Sequence, residues 1–257
     1  MSLKVIEKYI PVGHPNRPGG KMVSIKARIF HGTANLAHGA DDIANANYFA
    51  RAYKVLDGNV YEADGTTPFR HGSAHVVIDT DSATICLPLT EPCVGAGDRP
   101  LPYTNGFKGQ TAVAKNVFAY NQNRESIQIE LAMNDMKNFQ LVLDNAIEFC
   151  RVYCPQHYLV NYRHHDVTGK ICPSPMVGSV AAEAMWTGFV TKLVKGIAPT
   201  PPKPAVPTLT VTYNNVVIDC KPDSSSGKTI GQLRPVVEAL GKHIDWVRET
   251  NTVVITD

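Results

Sequence analysis

The 257-residue sequence has little of what marks several specialised classes of protein. Six cysteines are too few for a disulfide-stabilised scaffold. The 25 Lys and Arg nearly balance 23 Asp and Glu, so a net charge of +2 gives no basic surface of the kind that binds nucleic acid. No apolar run approaches the roughly 18 residues of a membrane-spanning helix. The composition is that of an ordinary folded protein, because 44% of the residues are hydrophobic and 19% are charged.

Proline is concentrated in one place. Residues 196–207 read GIAPTPPKPAVP and hold five of the 18 prolines. Proline fixes φ and lacks an N–H, so such a run forms an extended, semi-rigid spacer. The sequence therefore predicts a first domain over residues 1–195, a linker over 196–207 and a small second domain over 208–257.

The first domain mixes strand and helix patterns. Alternating apolar residues predict strands at 23–30, 75–79 and 126–133, and helical periodicity predicts helices over 41–53, from Asn134 onwards and over 181–194. We expect Asn134 to cap its helix, with Met136 on the buried face, and Ala184 to face inwards in the last helix. This order predicts an α/β fold, a mixed central sheet with surrounding helices.

The second domain has a different pattern, with strands around one helix. Strands are expected near 209–213, 216–218, 244–246 and 253–255, with a turn at 214–215, a helix over 230–240 and a hairpin at 249–252. The stretch VVEALGKHIDWVRETNTVVI resembles the stalk-like domain similar to the amino-terminal domain of copper amine oxidases. We expect a small α+β domain, and a role in targeting the bacterial cell wall is one hypothesis for it.

One short segment concentrates side chains that can bind a metal. Residues 163–173 read RHHDVTGKICP. Imidazole and thiolate suit Zn²⁺, and Gly169 would let the loop fold back so that His164 and Cys172 reach one ion. Because no CxxC pair accompanies them, an open site is favoured over a closed structural one. The alternative is a surface loop rich in histidine with a buried structural cysteine.

A third ligand would have to come from elsewhere in the chain. His31 lies in IFHGTAN, where the first apolar strand ends and small residues open a loop. A histidine at a strand end is commonly structural. His31 therefore gains weight only in combination with the 163–173 loop.

Four motifs in order identify a family. NRPGG with IFHGTAN, then GSAHVVID, SIQIELAMN and RHHDVTGKICP, resemble the zinc-dependent N-acetylmuramoyl-L-alanine amidases related to phage lysozyme-type amidases and peptidoglycan-recognition proteins. The resemblance covers about residues 5–180. It implies a zinc ion in a groove on a mixed sheet. It also implies hydrolysis of the amide that joins N-acetylmuramic acid to L-alanine in peptidoglycan.

The resemblance also implies which residues hold the metal and which react. His31, His164 and Cys172 match the family's zinc ligands, and the zinc would lower the pKa of a bound water towards about 7. Lys170 matches the lysine that relatives aim at the scissile carbonyl oxygen. Glu130 matches the acidic residue of the catalytic branch and would act as the general base.

The position of Glu130 is also indicated by its strand. Ile127 and Ile129 alternate with Gln128 and Glu130, which places the polar pair on the opposite side, towards the groove. The alternative is that an acid in a strand simply points outwards.

Other positions keep two interpretations or depart from the family. His75 could line the groove or be structural, and Asp166 could orient His164 or cap the loop. Ala74 stands where some relatives carry a tyrosine, so a tyrosine-assisted mechanism is disfavoured and Glu130 must carry more of the chemistry. Residues 91–97 stand where many relatives carry a Trp-His pair, so the substrate contacts usually made by that pair are unassigned. The cysteines other than Cys172 are expected to be buried or free thiols.

Three classes of function follow from these patterns. A hydrolase needs the zinc ligands and Glu130, whereas a noncatalytic peptidoglycan-binding module or a structural protein does not. The start, MSLKVIEKYIPVGHPNRPGG, lacks the apolar core and cleavage site of a secretory signal. We therefore expect an endolysin of a bacteriophage or prophage, made in the bacterial cytoplasm and acting on the wall after release.

Overall fold

The computed structural model describes residues 3–22, 24–96, 111–119, 122–156 and 158–195, together with four strands in the remainder of the chain. The chain forms two compact units, residues 1–198 and 199–257. Within this described part, no helix is both long enough and apolar enough to cross a lipid bilayer.

The described residues of the first unit contain eight strands. They are β1 (Lys4–Glu7), β2 (Ala27–Gly32), β3 (Tyr53–Leu56), β4 (Asn59–Glu62), β5 (Val76–Ile78), β6 (Ser82–Ile85), β7 (Ser126–Leu131) and β8 (Val160–Arg163). Six of them form one sheet in the order β1-β6-β5-β7-β2-β8, and β3 with β4 forms a separate hairpin. The strands β5, β7, β2 and β8 are mutually parallel, whereas β6 is antiparallel to β5. The sheet is therefore mixed, as the sequence predicts.

The described residues of this unit also contain six helices and two short 3₁₀ turns. The helices are α1 (Asp42–Phe49), α2 (Ala112–Val117), α3 (Gln122–Glu125), α4 (Phe139–Tyr153), α5 (His164–Thr168) and α6 (Val180–Lys195), and the 3₁₀ turns are Met136–Asn138 and Ser174–Met176. The predicted α/β class, a mixed central sheet with surrounding helices, is confirmed.

One face of the sheet carries the main hydrophobic core. Apolar side chains of β2, β5, β6 and β7 pack there against α4 and α6, with Phe30 in edge contact with Phe189 at 5.0 Å between ring centroids. Full burial of a side chain of this size stabilises the fold by about 1.5–3 kcal/mol. Since alternate residues of a strand point to opposite faces, the residues that flank each core position in β2 and β7 are directed to the other face.

The other face carries two smaller apolar clusters and a polar strip. One cluster surrounds Val77 of β5 with residues of α1, and the other surrounds Ile29 of β2 with residues of α2 and α5. The polar residues His31, Gln128 and Glu130 belong to the same face, by the alternation of β2 and β7. The fold thus leaves a polar position on an otherwise apolar side of the sheet.

The predicted helix over 41–53 is wrong at its end. Helix α1 stops at Phe49, and Tyr53 begins the β3–β4 hairpin. Asp57 and Gly58 both have positive φ, at 50° and 77°, as a tight two-residue hairpin turn requires. The Asp-Gly pair is the local signal that favours the hairpin over a longer helix.

Two details of the later helices are also wrong. Asp135, not Asn134, caps the 3₁₀ turn by accepting from the Asn138 N–H, and α4 begins only at Phe139. Met136 lies in that turn and is 41% exposed. Ala184 is exposed, because it lies about 140° around the helix from Phe189, which packs into the core.

The second unit contains a four-stranded sheet. Its strands are β9 (Leu209–Tyr213), β10 (Val216–Cys220), β11 (His243–Val247) and β12 (Thr252–Thr256), in the order β10-β9-β12-β11. The pairs β9–β10 and β11–β12 are antiparallel, as expected for hairpins, and β12 is parallel to β9. The predicted linker, the turn at 214–215, the helix over 230–240 and most of the turn before β12 lie outside the described residues.

Candidate metal centre

Three side chains from distant parts of the chain meet at the end of β2. Phe30 is paired with Arg163 across β2 and β8, so the next residues, His31 within β2 and His164 at the start of α5, lie side by side. Their Nδ1 atoms are 3.0 Å apart. The Sγ of Cys172 accepts from the Gly32 N–H at 3.4 Å, and the three ligand atoms lie within 4.8 Å of one another. The residues that the sequence proposes as ligands therefore converge.

The spacing of these atoms suits a zinc ion. Tetrahedral Zn²⁺ with N and S ligands at about 2.05 and 2.3 Å holds them about 3.3 Å apart for two nitrogens and about 3.6 Å apart for nitrogen and sulfur. Two imidazoles and one thiolate form a donor set that favours zinc over calcium or magnesium. Three protein ligands leave the fourth position open, which is the arrangement of catalytic zinc sites. No second group of three or more such ligands occurs in the described ranges.

The protonation states of the ligands follow from their burial. Burial lowers the pKa of His31 to about 4, and burial with the neighbouring His31 holds the pKa of His164 well below its usual range. Both imidazoles are therefore neutral at pH 7 and have a lone pair for a metal. Burial and the nearby Glu130 carboxylate raise the pKa of Cys172 to about 11. A cation must displace the thiol proton when it binds.

Gly32 allows the Cys172 loop to approach β2. A Cβ atom at this position would lie 2.7 Å from the Sδ of Met133 and 3.2 Å from the Cβ of Pro173. Both distances are shorter than normal carbon contacts. Glycine is thus required by close packing and not by backbone conformation, and the small residue after His31 brings the sulfur within reach of the imidazoles.

Glu130 lies beside the three ligands. It is paired with His31 across β7 and β2, on the face opposite the core residues Ile127 and Ile129. Its Oε2 is fully enclosed and has no hydrogen-bond partner among the described residues. Burial raises its pKa to about 7, although the charge of Lys170 acts in the opposite direction. The carboxyl group is therefore poised to accept and release a proton near neutral pH.

Lys170 is exposed on the loop between His164 and Cys172. Its positive charge lowers the pKa of Glu130, of His31 and of Cys172, so the ammonium group is close enough to act on all of them. An exposed cation near these groups suits the predicted role beside a substrate carbonyl.

The sequence leaves two interpretations open for His75 and for Asp166, and both side chains form hydrogen bonds to the backbone. His75 is fully buried; its Nδ1 accepts from the Gln128 N–H at 2.9 Å, and its Nε2 donates to the Glu91 carbonyl at 2.8 Å. Asp166 caps α5 by accepting from the Arg163 N–H at 2.7 Å. These contacts favour the structural interpretation of His75 and the capping interpretation of Asp166.

Arg163 holds the loop in place and was not expected from the sequence. Its guanidinium forms ion pairs with Asp166 and with Glu183 of α6, and it donates to the Met176 carbonyl. These contacts tie α5, the turn after Pro173 and α6 together around Cys172. In the sequence, only the position of Arg163 next to His164 pointed to this role.

The resemblance places a Trp-His pair within residues 91–97. The described part of this segment, residues 91–96, contains no aromatic side chain and packs against the site. The backbone N–H of Ala96 donates to the Asn123 side chain at 2.9 Å, and Glu91 forms an ion pair with Arg17. A Cβ atom at Gly95 would lie 3.0 Å from three side-chain atoms of Gln128. The loop therefore rests directly on Gln128.

Four further cysteines of the first unit are buried free thiols, as expected: Cys86, Cys93, Cys150 and Cys154. Burial raises the pKa of Cys86 and Cys93, so both thiols stay protonated at neutral pH. They take no part in the metal site.

Comparison with known proteins gives a consistent result for the first unit. The sequence model of the N-acetylmuramoyl-L-alanine amidase family matches residues 21–175. N-acetylmuramoyl-L-alanine amidase BlyA of Bacillus subtilis (strain 168) is 28% identical over 207 residues, which is 78% of this chain and 50% of the relative. The chain spans about half the length of the curated relatives it matches.

Two solved structures resemble this chain in fold. A mutant endolysin from Bacillus subtilis superposes with a TM-score of 0.51 at 28% identity, covering 74% of this chain and 99% of the other. The catalytic domain of XlyA gives a TM-score of 0.50 at 27% identity, also covering 74% of this chain and 99% of the other.

Proposed function

Because the chain belongs to the N-acetylmuramoyl-L-alanine amidase family, we propose that it hydrolyses the amide between N-acetylmuramic acid and L-alanine in bacterial peptidoglycan. The observation that carries this proposal is the meeting of His31, His164 and Cys172 beside Glu130. An amide resists water because water is a weak nucleophile and the tetrahedral intermediate carries an unstable oxyanion. Both difficulties are addressed by groups at this site.

The two histidines and the cysteine would hold one Zn²⁺. When bound, zinc supplies an acidified water and a Lewis acid for the carbonyl oxygen. The ligands come from the end of β2, the start of α5 and the loop before Pro173, so the sheet and the Arg163 ion pairs fix their separation. The imidazoles are neutral and the thiol is buried, so these groups are suited to bind a divalent ion and not to contact solvent.

Glu130 would move the protons of the reaction. It accepts a proton from the attacking water, and it delivers that proton to the nitrogen of L-alanine as the carbon–nitrogen bond breaks. Burial raises its pKa to about 7 without metal, which favours uptake and release of a proton near neutral pH, and bound zinc would lower that value. Its Oε2 has no hydrogen-bond partner among the described residues, which leaves one oxygen available for this exchange.

Lys170 would stabilise the oxyanion. Its side chain is exposed, its charge acts on Glu130, His31 and Cys172, and that charge is opposite to the charge of the intermediate. A single well-placed donor of this kind contributes roughly 3–4 kcal/mol to transition-state stabilisation. We expect Lys170 to matter for turnover and not for holding the metal.

A noncatalytic peptidoglycan-binding module is the alternative class. Such a module needs a groove but neither a third metal ligand nor an enclosed carboxyl group. Cys172 within reach of the two imidazoles, and Glu130 on the same face, favour the hydrolase. Peptidoglycan is the partner in either case.

The second unit is proposed to target the enzyme to the wall. It has its own four-stranded sheet, and a tethered binding unit raises the local concentration of the catalytic unit at a polymer. Removal of residues 208–257 should leave hydrolysis of soluble wall fragments unchanged and reduce sedimentation with purified walls. Unchanged sedimentation would remove this part of the proposal.

Amino-terminal analysis of digested peptidoglycan tests the reaction. New L-alanine amino termini should appear with the enzyme and disappear when a chelator removes zinc. New reducing sugars without new amino termini would identify a glycosidase instead. Binding to walls with neither product would identify the binding module.

A further inference from the structure

Gln128 lies directly behind His31, on the side away from the other two ligands. The His31 Nε2 is 2.6 Å from the Gln128 Oε1, while the His31 Nδ1 faces His164. Gln128 and His31 are 0% and 2% exposed, so solvent does not compete for this bond. The contact joins neighbouring strands, β7 and β2, on the face that carries the site.

The amide of Gln128 is held in one orientation by its other contacts. Its Nε2 is 3.2 Å from the Gln122 carbonyl oxygen and 2.5 Å from the Ser126 Oγ. A backbone carbonyl can only accept a hydrogen bond, so the atom facing it must be the NH₂ group. The Ser126 hydroxyl donates to the same carbonyl and therefore accepts from Gln128. The Oε1 atom is thus the one that faces His31.

This orientation determines where His31 carries its proton. An amide oxygen can only accept, so the His31 Nε2 must carry the hydrogen. A neutral imidazole has one N–H, and its Nδ1 is then an unprotonated lone pair directed at His164 and Cys172. Ligand histidines in metal proteins commonly have their second nitrogen fixed in this way.

The backbone and the neighbouring loop also hold Gln128. Its N–H donates to the Nδ1 of His75, and its carbonyl accepts from the His75 N–H, both at 2.9 Å. Gly95 leaves no space for a side chain beside it. The buried His75 thus supports Gln128, the residue behind the His31 ligand.

We propose that Gln128 is a positioning residue that fixes the Nε2–H tautomer of His31 and so prepares its Nδ1 to bind zinc. The inference rests on the proposed zinc site, and it concerns how the ligands are prepared before zinc binds. Loss of the amide should lower zinc affinity tenfold to a hundredfold, the range for removal of such a partner. The fold of the sheet should survive, because the backbone bonds of Gln128 to His75 remain.

Two measurements on the full chain test the proposal. Nitrogen-15 NMR of the metal-free protein reports which ring nitrogen of His31 carries hydrogen, and chelator competition reports the zinc affinity. The wild type should show the hydrogen on Nε2. Gln128→Met should populate both tautomers of His31 and lose zinc affinity tenfold to a hundredfold, whereas Gln140→Met, the same change on the exposed face of α4, should change neither.

Two further variants separate positioning from packing. Gln128→Glu keeps an acceptor for His31 and should keep the Nε2–H tautomer, although its side chain can no longer donate to Gln122. Gly95→Ala changes no hydrogen-bonding group, but it should displace the Gln128 side chain and weaken zinc binding in the same direction. It also provides the test if Gln128→Met does not fold.

A failure of the positioning role of Gln128 can be distinguished from a failure of the proposed reaction. An unchanged tautomer and zinc affinity in both Gln128→Met and Gly95→Ala would overturn the positioning role, even if the enzyme releases L-alanine termini. Failure to release those termini would overturn the proposed function, yet it would leave the tautomer of His31 and its response to Gln128→Met measurable.

Discussion

The enclosed carboxyl group of Glu130 should cost stability at neutral pH in the metal-free protein. Its pKa of about 7 in the fold compares with 4.5 for an unperturbed glutamic acid. The folded state therefore binds more protons than the unfolded state between these values, and stability falls as the pH rises through this interval. A difference of about 2.5 units corresponds to about 3 kcal/mol, and partial exposure of the side chain reduces this to about 2–3 kcal/mol.

Glu130→Gln replaces the carboxyl group by a neutral isostere and should remove this cost. At pH 8 the variant should be more stable than the wild type by about 2–3 kcal/mol, and at pH 4 the two should differ little, since the wild-type carboxyl group is then protonated. Bound zinc should reduce the difference, because a nearby dication favours the ionised carboxylate.

Urea unfolding of chelator-treated protein measures this difference. A Trp246→Phe background leaves Trp186 of α6 as the only tryptophan, and its ring packs against Phe30 in the core, so its fluorescence reports the first unit alone. The reasoning is refuted if the gain in stability is the same at pH 4 as at pH 8, or if the variant is less stable than the wild type at pH 8.

Three further predictions concern the metal site. Gly32→Ala should push Met133 or Pro173 away, cost about 1–3 kcal/mol and lower the zinc content after dialysis, measured by thermal unfolding and metal analysis; full retention of zinc and stability would contradict the packing argument. Cys172→Ser should fold normally by circular dichroism yet lose zinc and hydrolysis, so an active, zinc-loaded variant would exclude the sulfur ligand. Lys170→Met should reduce kcat by roughly 10²–10³ while zinc affinity is unchanged, and unchanged kcat would remove its role at the oxyanion.

Periodicity located the three central strands of the first unit, β2, β5 and β7, because their side chains are buried. It did not locate the other strands of this unit, β1, β3, β4, β6 and β8. The alternation in β7 identified both its core residues and the polar face with Glu130. Helix ends were harder to predict. Neighbouring polar residues such as Asn134 and Asp135 compete for the same capping position, and the sequence does not show which of them wins.

The ordered motifs predicted the three candidate ligands. They did not predict the residues that hold those ligands in place. Imidazole and thiol side chains bind metals, so short sequence motifs are enough to indicate His31, His164 and Cys172. The role of Gln128 depends on a contact with a residue 97 positions away, and the role of Arg163 on a partner in α6. An amide or a guanidinium has many possible partners, and only the folded chain selects among them.

X-ray absorption at the zinc edge of the loaded protein tests the central claim most directly. One sulfur should appear at about 2.3 Å and two imidazole nitrogens at about 2.0 Å, with one zinc per chain. The sulfur signal should vanish in Cys172→Ser. A zinc shell of nitrogen and oxygen alone in the wild type, or a sulfur signal that persists in Cys172→Ser, would show that the metal is held elsewhere.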